Sequence, residues 1–165
     1  MGDVRLERWA ERDAGLLVEL NGDPEQMEHL GGPETAEKLA DRQERYVAAE
    51  WCFVVVDGDG RRAGWVGFWE SEWRGEVVLE MGWSVRKDLH GRGLASAGTR
   101  LAVARAEVAA REAGLARIVA FPNVENVASN RVCERAGFAL LERDADVEYP
   151  PGHRMRCNVW ALAVG

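Results

Sequence analysis

This 165-residue sequence predicts a mixed α/β fold: a sheet with helices on both faces. Three observations carry that reading. Apolar runs with strand composition occupy 51–56, 63–69 and 77–85, and a polar turn, Asp57-Gly58-Asp59-Gly60, separates the first two. An Ala-rich segment, 93–113, follows the third run after a turn holding two glycines; its charged residues lie apart from its apolar ones, as in a helix packed on a sheet. Two further apolar runs, 138–143 and 155–163, close the chain as a pair of strands. No repeat, linker or low-complexity stretch interrupts these elements, so the expectation is one domain over 1–165, long enough to bury a core.

In chain order, Val4, Leu6 and Arg8 alternate as a short first strand. Glu11-Arg12-Asp13 opens a helix carrying Leu16, Leu17 and Leu20, and Asn21-Gly22-Asp23-Pro24 ends it. His29-Leu30-Gly31-Gly32-Pro33 reads as a loop. Thr35 is the N-cap of a helix running to about Glu50, although Lys38 stands where a capping box would have an acid. Trp51–Val56 is a strand, 57–60 a hairpin turn, and Ala63–Trp69 the returning strand. Residues 70–76 read as a polar turn before the strand Val77–Val85. On the long helix Leu94, Leu101 and Val108 repeat every seven residues and are expected on the packed face, with Gly114 as C-cap. Arg117–Phe121 is a buried strand that Pro122 stops. Asn126 caps a helix ending at Gly137. Phe138–Arg143 and Met155–Ala163 are the closing strands, joined by a polar loop containing Pro150-Pro151-Gly152.

Composition excludes several classes. No stretch approaches the length of a membrane span, and the first residues form no apolar leader and no myristoylation signal. Three scattered cysteines, Cys52, Cys133 and Cys157, argue against a disulfide framework and for a reducing cytoplasm. A formal charge of −7 with no basic stripe disfavours nucleic acid. An acidic surface is compatible with a cationic amine as partner.

The chemistry centres on 83–101. A strand enters a turn holding Gly91 and Gly93, and a helix starts at once. Glycine admits positive φ and close backbone approach to a ligand. The first N–H groups of the helix point into the turn without intrahelical partners and, with the helix dipole, favour an anion, so a diphosphate is the first ligand to consider. There is no G-x-x-x-x-G-K-[ST], and Ser96 stands where a dinucleotide fingerprint needs Gly or Ala. What remains is His90-Gly91-Arg92-Gly93-Leu94-Ala95, close to [Gln/Arg]-x-x-Gly-x-[Gly/Ala]. Farther on, Asn126-Val-Ala-Ser129-Asn-Arg-Val-Cys133-Glu-Arg-Ala-Gly137-Phe138 is close to Asn-x-x-Ser-x-[Arg]-x-x-[Glu]-[Lys/Arg]-x-Gly-Phe. With both motifs in order, the sequence resembles the GCN5-related N-acetyltransferase (GNAT) superfamily, specifically over 51–140. The Leu30-Gly-Gly-Pro33 segment and the Glu80-x-Gly-Trp83 strand look like the RimJ/RimL-like branch, which acetylates ribosomal-protein N-termini.

The resemblance implies a central mixed, mostly antiparallel sheet of about seven strands with helices on both faces and splayed middle strands. It implies acetyl-CoA as co-substrate, no metal, and an amine acceptor, a protein N-terminus or a small-molecule amine. Direct attack in a ternary complex needs only positioning and two proton transfers. In the family the pantetheine arm bonds to backbone near Val85, and the N–H groups of Gly91, Arg92, Gly93, Leu94, Ala95 and Ser96 hold the diphosphate. His90 either contacts the phosphates or the turn, or is a surface residue beside amides that bind them. Arg86, Lys87 and Arg92 add positive charge nearby, or are surface charges.

Glu80 is the general-base candidate, because a carboxylate midway along an apolar strand is costly to bury without a task or a partner. The other reading of Glu80 is a carboxylate bonding a neighbouring strand's Ser, Arg or Trp. Cys133 stands where many members have a tyrosine that protonates the leaving thiolate. Its ordinary pKa is about 8.5, and buried Cys is commonly a small hydrophobe. Ser129, one turn earlier, is the alternative acid, and water a third. Asn126 caps its helix and can reach the pantetheine arm or the acceptor side. Trp69 and Trp73, beside Glu70, Glu72 and Glu76, could form an aromatic and acidic rim for an ammonium group. Acceptor specificity is assigned to the loops 30–35, 70–76 and 144–154. The resemblance allows a homodimer, and the apolar last strand (Val159, Trp160, Leu162) could pair or end the core. The other class left open is a non-catalytic acyl-CoA-binding sensor or partner module.

Overall fold

The apolar runs become strands and the Ala-rich segment a helix. The computed structural model describes residues 3–148 and 152–165. Its elements in order are β1 (Arg5–Arg8), α1 (Ala14–Asn21), α2 (Ala36–Ala48), β2 (Cys52–Val56), β3 (Arg62–Trp73), β4 (Glu76–Val85), α3 (Leu94–Ala113), β5 (Arg117–Ala120), α4 (Val127–Arg135), β6 (Ala139–Glu148) and β7 (Arg154–Ala163). The strands form one seven-stranded sheet in the order β1-β2-β3-β4-β5-β7-β6. β4 and β5 are parallel, through Leu79 with Ile118 and Glu80 with Val119. The pairs β1–β2, β5–β7 and β6–β7 are antiparallel. Among the described residues no helix is long and apolar enough to cross a membrane.

By internal contacts the chain divides into two units. The first comprises Met1–Val66 and Trp83–Gly98. Its β2 is buried along its whole length, as an apolar run without alternation requires. Gly64 packs so tightly that a Cβ there would lie 2.0 Å from the Ser84 carbonyl oxygen, which only glycine permits. Gly98 also lies close to β2, where a Cβ would meet Val55 Cγ2 at 2.7 Å. Tyr46 of α2 touches the rings of Trp9, Trp51 and Trp65 at centroid distances of 5.3–5.9 Å. Buried Asp13 is held by Arg62, which also pairs with Glu7. Thr35 caps α2 as expected, its hydroxyl accepting the Lys38 N–H.

The second unit comprises Gly67–Gly82 and Thr99–Gly165. Val78, Val119 and Ala161, one from each of β4, β5 and β7, form one buried cluster, and Ala145, Met155, Cys157 and Val159 form another. Trp73 and Phe121 pack against both. The buried residues of α3 in this unit are Thr99, Ala102, Ala106 and Ala110, all 0% exposed.

Four expectations need correction. Leu101 and Val108 are not on the packed face of α3; they are 41% and 48% exposed, and the four-residue stripe of small residues faces inward instead. Small side chains let a helix approach closely, so size and not hydrophobicity selects the face. The stretch 70–76 is largely strand, for β3 continues to Trp73 and the turn is only Arg74-Gly75, both at positive φ (52° and 80°). That is the conformation of a tight hairpin turn, and Trp69, Ser71 and Trp73 alternate with Glu70 and Glu72 as a strand requires. β6 likewise runs to Glu148, so most of the expected loop 144–154 is strand; Pro150 and Pro151 lie outside the described residues. Finally, β7 lies between β5 and β6, so the last strand is no free edge for a second copy to pair with.

Candidate active site

The expected site residues fall into two groups, one in each unit. In the first, β4 ends at Val85 and a short 3₁₀ turn, Lys87–Leu89, leads to His90. Gly91 and Gly93 have φ of 77° and 74°, the left-handed conformation anticipated for the turn. The space a Cβ would take at either is open to 4 Å. The first intrahelical bond of α3 runs from the Ala97 N–H to the Gly93 carbonyl. The N–H groups of Gly93, Leu94, Ala95 and Ser96 precede it and are available to an anion. The Leu94 and Ser96 side chains are buried, so these two residues offer backbone to a ligand.

His90 does not aim at the turn's open side. Its Nε2 lies 2.8 Å from the Val85 carbonyl oxygen. A carbonyl only accepts, so Nε2 carries the hydrogen. The Gln26 amide donates to the same oxygen at 2.9 Å. Both lone pairs of the Val85 carbonyl are therefore engaged, and His90 ties the start of the turn to the end of β4. The basic residues nearby are paired with carboxylates. Arg86 meets Glu19 at 3.1 Å and Asp88 at 3.0 Å, Lys87 meets Asp23 at 2.9 Å and Glu25 at 2.8 Å, and Arg92 lies 3.6 Å from Asp57 and 3.9 Å from Asp59. What the turn offers an anion is chiefly backbone N–H.

In the second unit Glu80 is half-buried on β4 opposite Val119. Burial pushes its carboxyl above the ordinary carboxylate range, opposed by hydrogen bonds from the Ser71 hydroxyl and the Trp69 indole N–H. Both donors stand on β3, which pairs with β4. They are the neighbouring Ser and Trp that one reading of the sequence allowed for. Burial, and after it the charges of Glu142 and then Glu80, push the Cys157 thiol on β7 up to about 12. Cys157 bridges to Asn123, and the Val124 N–H bonds the Arg156 carbonyl, so β7 also carries the loop leading into α4.

Asn126 caps α4, its Oδ1 accepting the Ser129 N–H at 3.0 Å. Ser129 is half-exposed in the first turn of that helix. Cys133, one turn on, is fully buried, and burial pushes its thiol up to about 12. The hub of this region, overlooked in the sequence, is Asn130. Its Nδ2 donates to the carbonyls of Asn123 and Asn126, both at 2.9 Å, and its Oδ1 accepts from Asn158 at 2.8 Å and Trp160 at 2.9 Å. An asparagine among motif positions gave no local sign of those partners, two of which come from β7.

Three of the expected rim residues, Trp69, Trp73 and Glu76, have partners within the chain. Trp73 carries the protein's own cations, Arg74 and Arg117, with guanidinium carbons 5.3 and 5.8 Å from its ring centroid. Glu76 is paired with Arg117 at 3.2 Å, and Trp69 turns its N–H to Glu80. Among the described residues no group of three His, Cys, Asp or Glu is placed to hold a metal.

A family model described as an acetyltransferase (GNAT) domain matches residues 3–139, and the chain belongs to that family of N-acetyltransferases. The fold agrees with solved structures of the same class. A GNAT-family acetyltransferase from Bacillus anthracis is 22% identical, with 99% of this chain and 96% of that one covered at a TM-score of 0.75. Spermidine N-acetyltransferase from Vibrio cholerae, in complex with coenzyme A and spermine, is 18% identical over 98% and 95%, at 0.72. RimL, a ribosomal-protein α-N-acetyltransferase in complex with coenzyme A, is 18% identical over 98% and 94%, at 0.73. No curated protein sequence matches the chain.

Proposed function

We propose that residues 1–165 act as one cytoplasmic domain that moves an acetyl group from acetyl-CoA to a primary amine, by direct attack in a ternary complex. The observation that carries the catalytic half is Glu80, a half-buried carboxylate lifted by burial and steadied by Trp69 and Ser71. A carboxylate raised toward neutrality is a better proton acceptor for an ammonium group than an ordinary one. Glu80 takes the ammonium proton, directly or through water. The amine nitrogen then bonds to the thioester carbonyl carbon and releases its second proton to solvent, the carbon–sulfur bond breaks, and the thiolate takes a proton. Ser129 is better placed to give that proton than Cys133, because it is half-exposed and can relay from water, whereas the Cys133 thiol is closed off. The diphosphate lies on the N–H groups of Gly91–Ser96, with Val85 and His90 holding the approach to the turn and Asn126 beside the arm. The RimJ/RimL-like branch favours a protein N-terminus as acceptor, and the spermidine enzyme's likeness a polyamine. The three free, buried cysteines are in keeping with the cytoplasm.

The test is thiol release from acetyl-CoA across N-terminal peptides, polyamines, aminoglycosides and amino acids, beside calorimetric binding of coenzyme A. Glu80→Gln should lower kcat by roughly 10²-fold or more while leaving the coenzyme A Kd within about twofold. Full turnover in that variant would remove Glu80 from the mechanism. Coenzyme binding by the unaltered protein without turnover on any acceptor would favour an acyl-CoA sensor instead.

A further inference from the structure

The hairpin turn between β2 and β3 holds a buried carboxylate of which only one oxygen is used locally. Asp57 is 1% exposed. Its Oδ1 accepts the Asp59 N–H at 3.0 Å and the Arg61 N–H at 2.9 Å and so shapes the turn. Its Oδ2 is buried and has no hydrogen-bond partner. Such an oxygen is costly and calls for an explanation. Arg92 of the diphosphate turn supplies one, with Nη1 3.6 Å from Asp57 Oδ2 and Nη2 3.9 Å from Asp59 Oδ2. Both distances are too long for hydrogen bonds. Arg86 and Lys87, by contrast, are bonded to their carboxylates at 2.8–3.1 Å. Of these three cations, Arg92 is the one held by charge without a directed bond, and the one a ligand can draw away.

We propose that Asp57 is a counter-charge that competes with a bound diphosphate for Arg92, and so sets how tightly the turn holds coenzyme A. The inference rests on the reading that the diphosphate lies at Gly91–Ser96. When Arg92 turns to the ligand, Asp57 is left as a buried carboxylate without its cation, and that penalty opposes binding. Asp57 does not titrate out of this role near neutral pH, because the N–H groups of Arg61 and Asp59 and the charge of Arg92 hold its carboxyl below the usual range. Asp59 is exposed, so solvent screens its share. The consequence is easier release of the coenzyme A product, a step that limits many transferases.

The experiment is calorimetric titration of coenzyme A into the full chain and its Asp57→Asn, Arg92→Ala and doubly substituted variants, at low and high salt, with melting curves to show folding. Asn keeps the Oδ1 acceptor that shapes the turn and replaces the charged Oδ2 with a neutral amide nitrogen. Asp57→Asn should bind about threefold to tenfold more tightly, Arg92→Ala more weakly, and the double variant like Arg92→Ala alone, with the gain shrinking in high salt. Unchanged or weaker binding by Asp57→Asn overturns the proposal, as does the same gain in the Arg92→Ala background or unchanged binding by Arg92→Ala. Should Asp57→Asn fail to fold, Asp59→Asn decides: a smaller gain that vanishes with Arg92→Ala supports the proposal, and no gain overturns it. A wild-type chain that binds no coenzyme A overturns the cofactor reading, and this inference with it.

Discussion

Glu80 shows how one side chain's neighbours set its chemistry. Burial alone would push a carboxyl upward without limit on its pose; two donors from β3 orient it and hold part of that rise in check. As the proposed base it must be ionised, so activity should fall as pH drops through a pKa lying above the ordinary carboxylate range. Trp69→Phe keeps the aromatic bulk and removes one donor to the ionised form, so Glu80 should rise further. The acid limb of kcat/KM against pH should therefore move to higher pH, with the plateau reduced less than in Glu80→Gln. A limb that stays in place would mean another group governs it. Glu80's position on an apolar strand was legible in the sequence, and so was the choice between a base and a bonded carboxylate. Which Ser and which Trp bond it was not: Ser71 falls in 70–76, which reads as a turn, and only the β3–β4 pairing turns Trp69 to Glu80.

At the scale of elements, α3 is the instructive case. Its length, its glycine-bearing start and its end at Gly114 were all readable, since caps and turns are local. Its inner face was not, because Leu101 and Val108 advertise a packed stripe that Ala102, Ala106 and Ala110 occupy instead. Ala106→Leu should overpack that face and destabilise by about 1–3 kcal/mol. Leu101→Ala and Val108→Ala should each change stability by no more than about 0.5 kcal/mol. Urea midpoints at constant m-value would decide, and the opposite ranking would restore the face read from the sequence. The hub at Asn130 makes the same point for α4: the cap at Asn126 is local and was foreseen, whereas Asn158 and Trp160 arrive from a strand 28–30 residues away.

For the whole molecule, charge is spent largely in pairs. Glu7 with Arg62 and Arg5, Asp23 with Lys87, Asp57 with its turn N–H groups and Arg92, and Asp88 with Arg86 all have carboxyls held below their ordinary range. A carboxyl lowered by folding contributes stability that is present above its unfolded pKa, about 4, and is lost as pH falls through the folded value. Melting temperature should thus be flat down to about pH 5 and decline below about pH 4. Stability that rose on acidification would contradict these pairings. High salt should weaken the exposed pairs and leave the buried Asp13 and Arg62 pair largely intact.

The sequence by itself determined the family, the glycine turn before α3, the strand carboxylate, the capped helices and nearly every element, because these depend on residues within a few positions of one another. Only the tertiary structure decided which side of α3 faces inward, that β7 is an interior strand, that Gln26 bonds the Val85 carbonyl, and that Arg92 stands against a buried Asp57. Each of those depends on residues far apart in the chain. Local spacing carries propensity and capping, but not which distant partner fills a given space or neutralises a given charge.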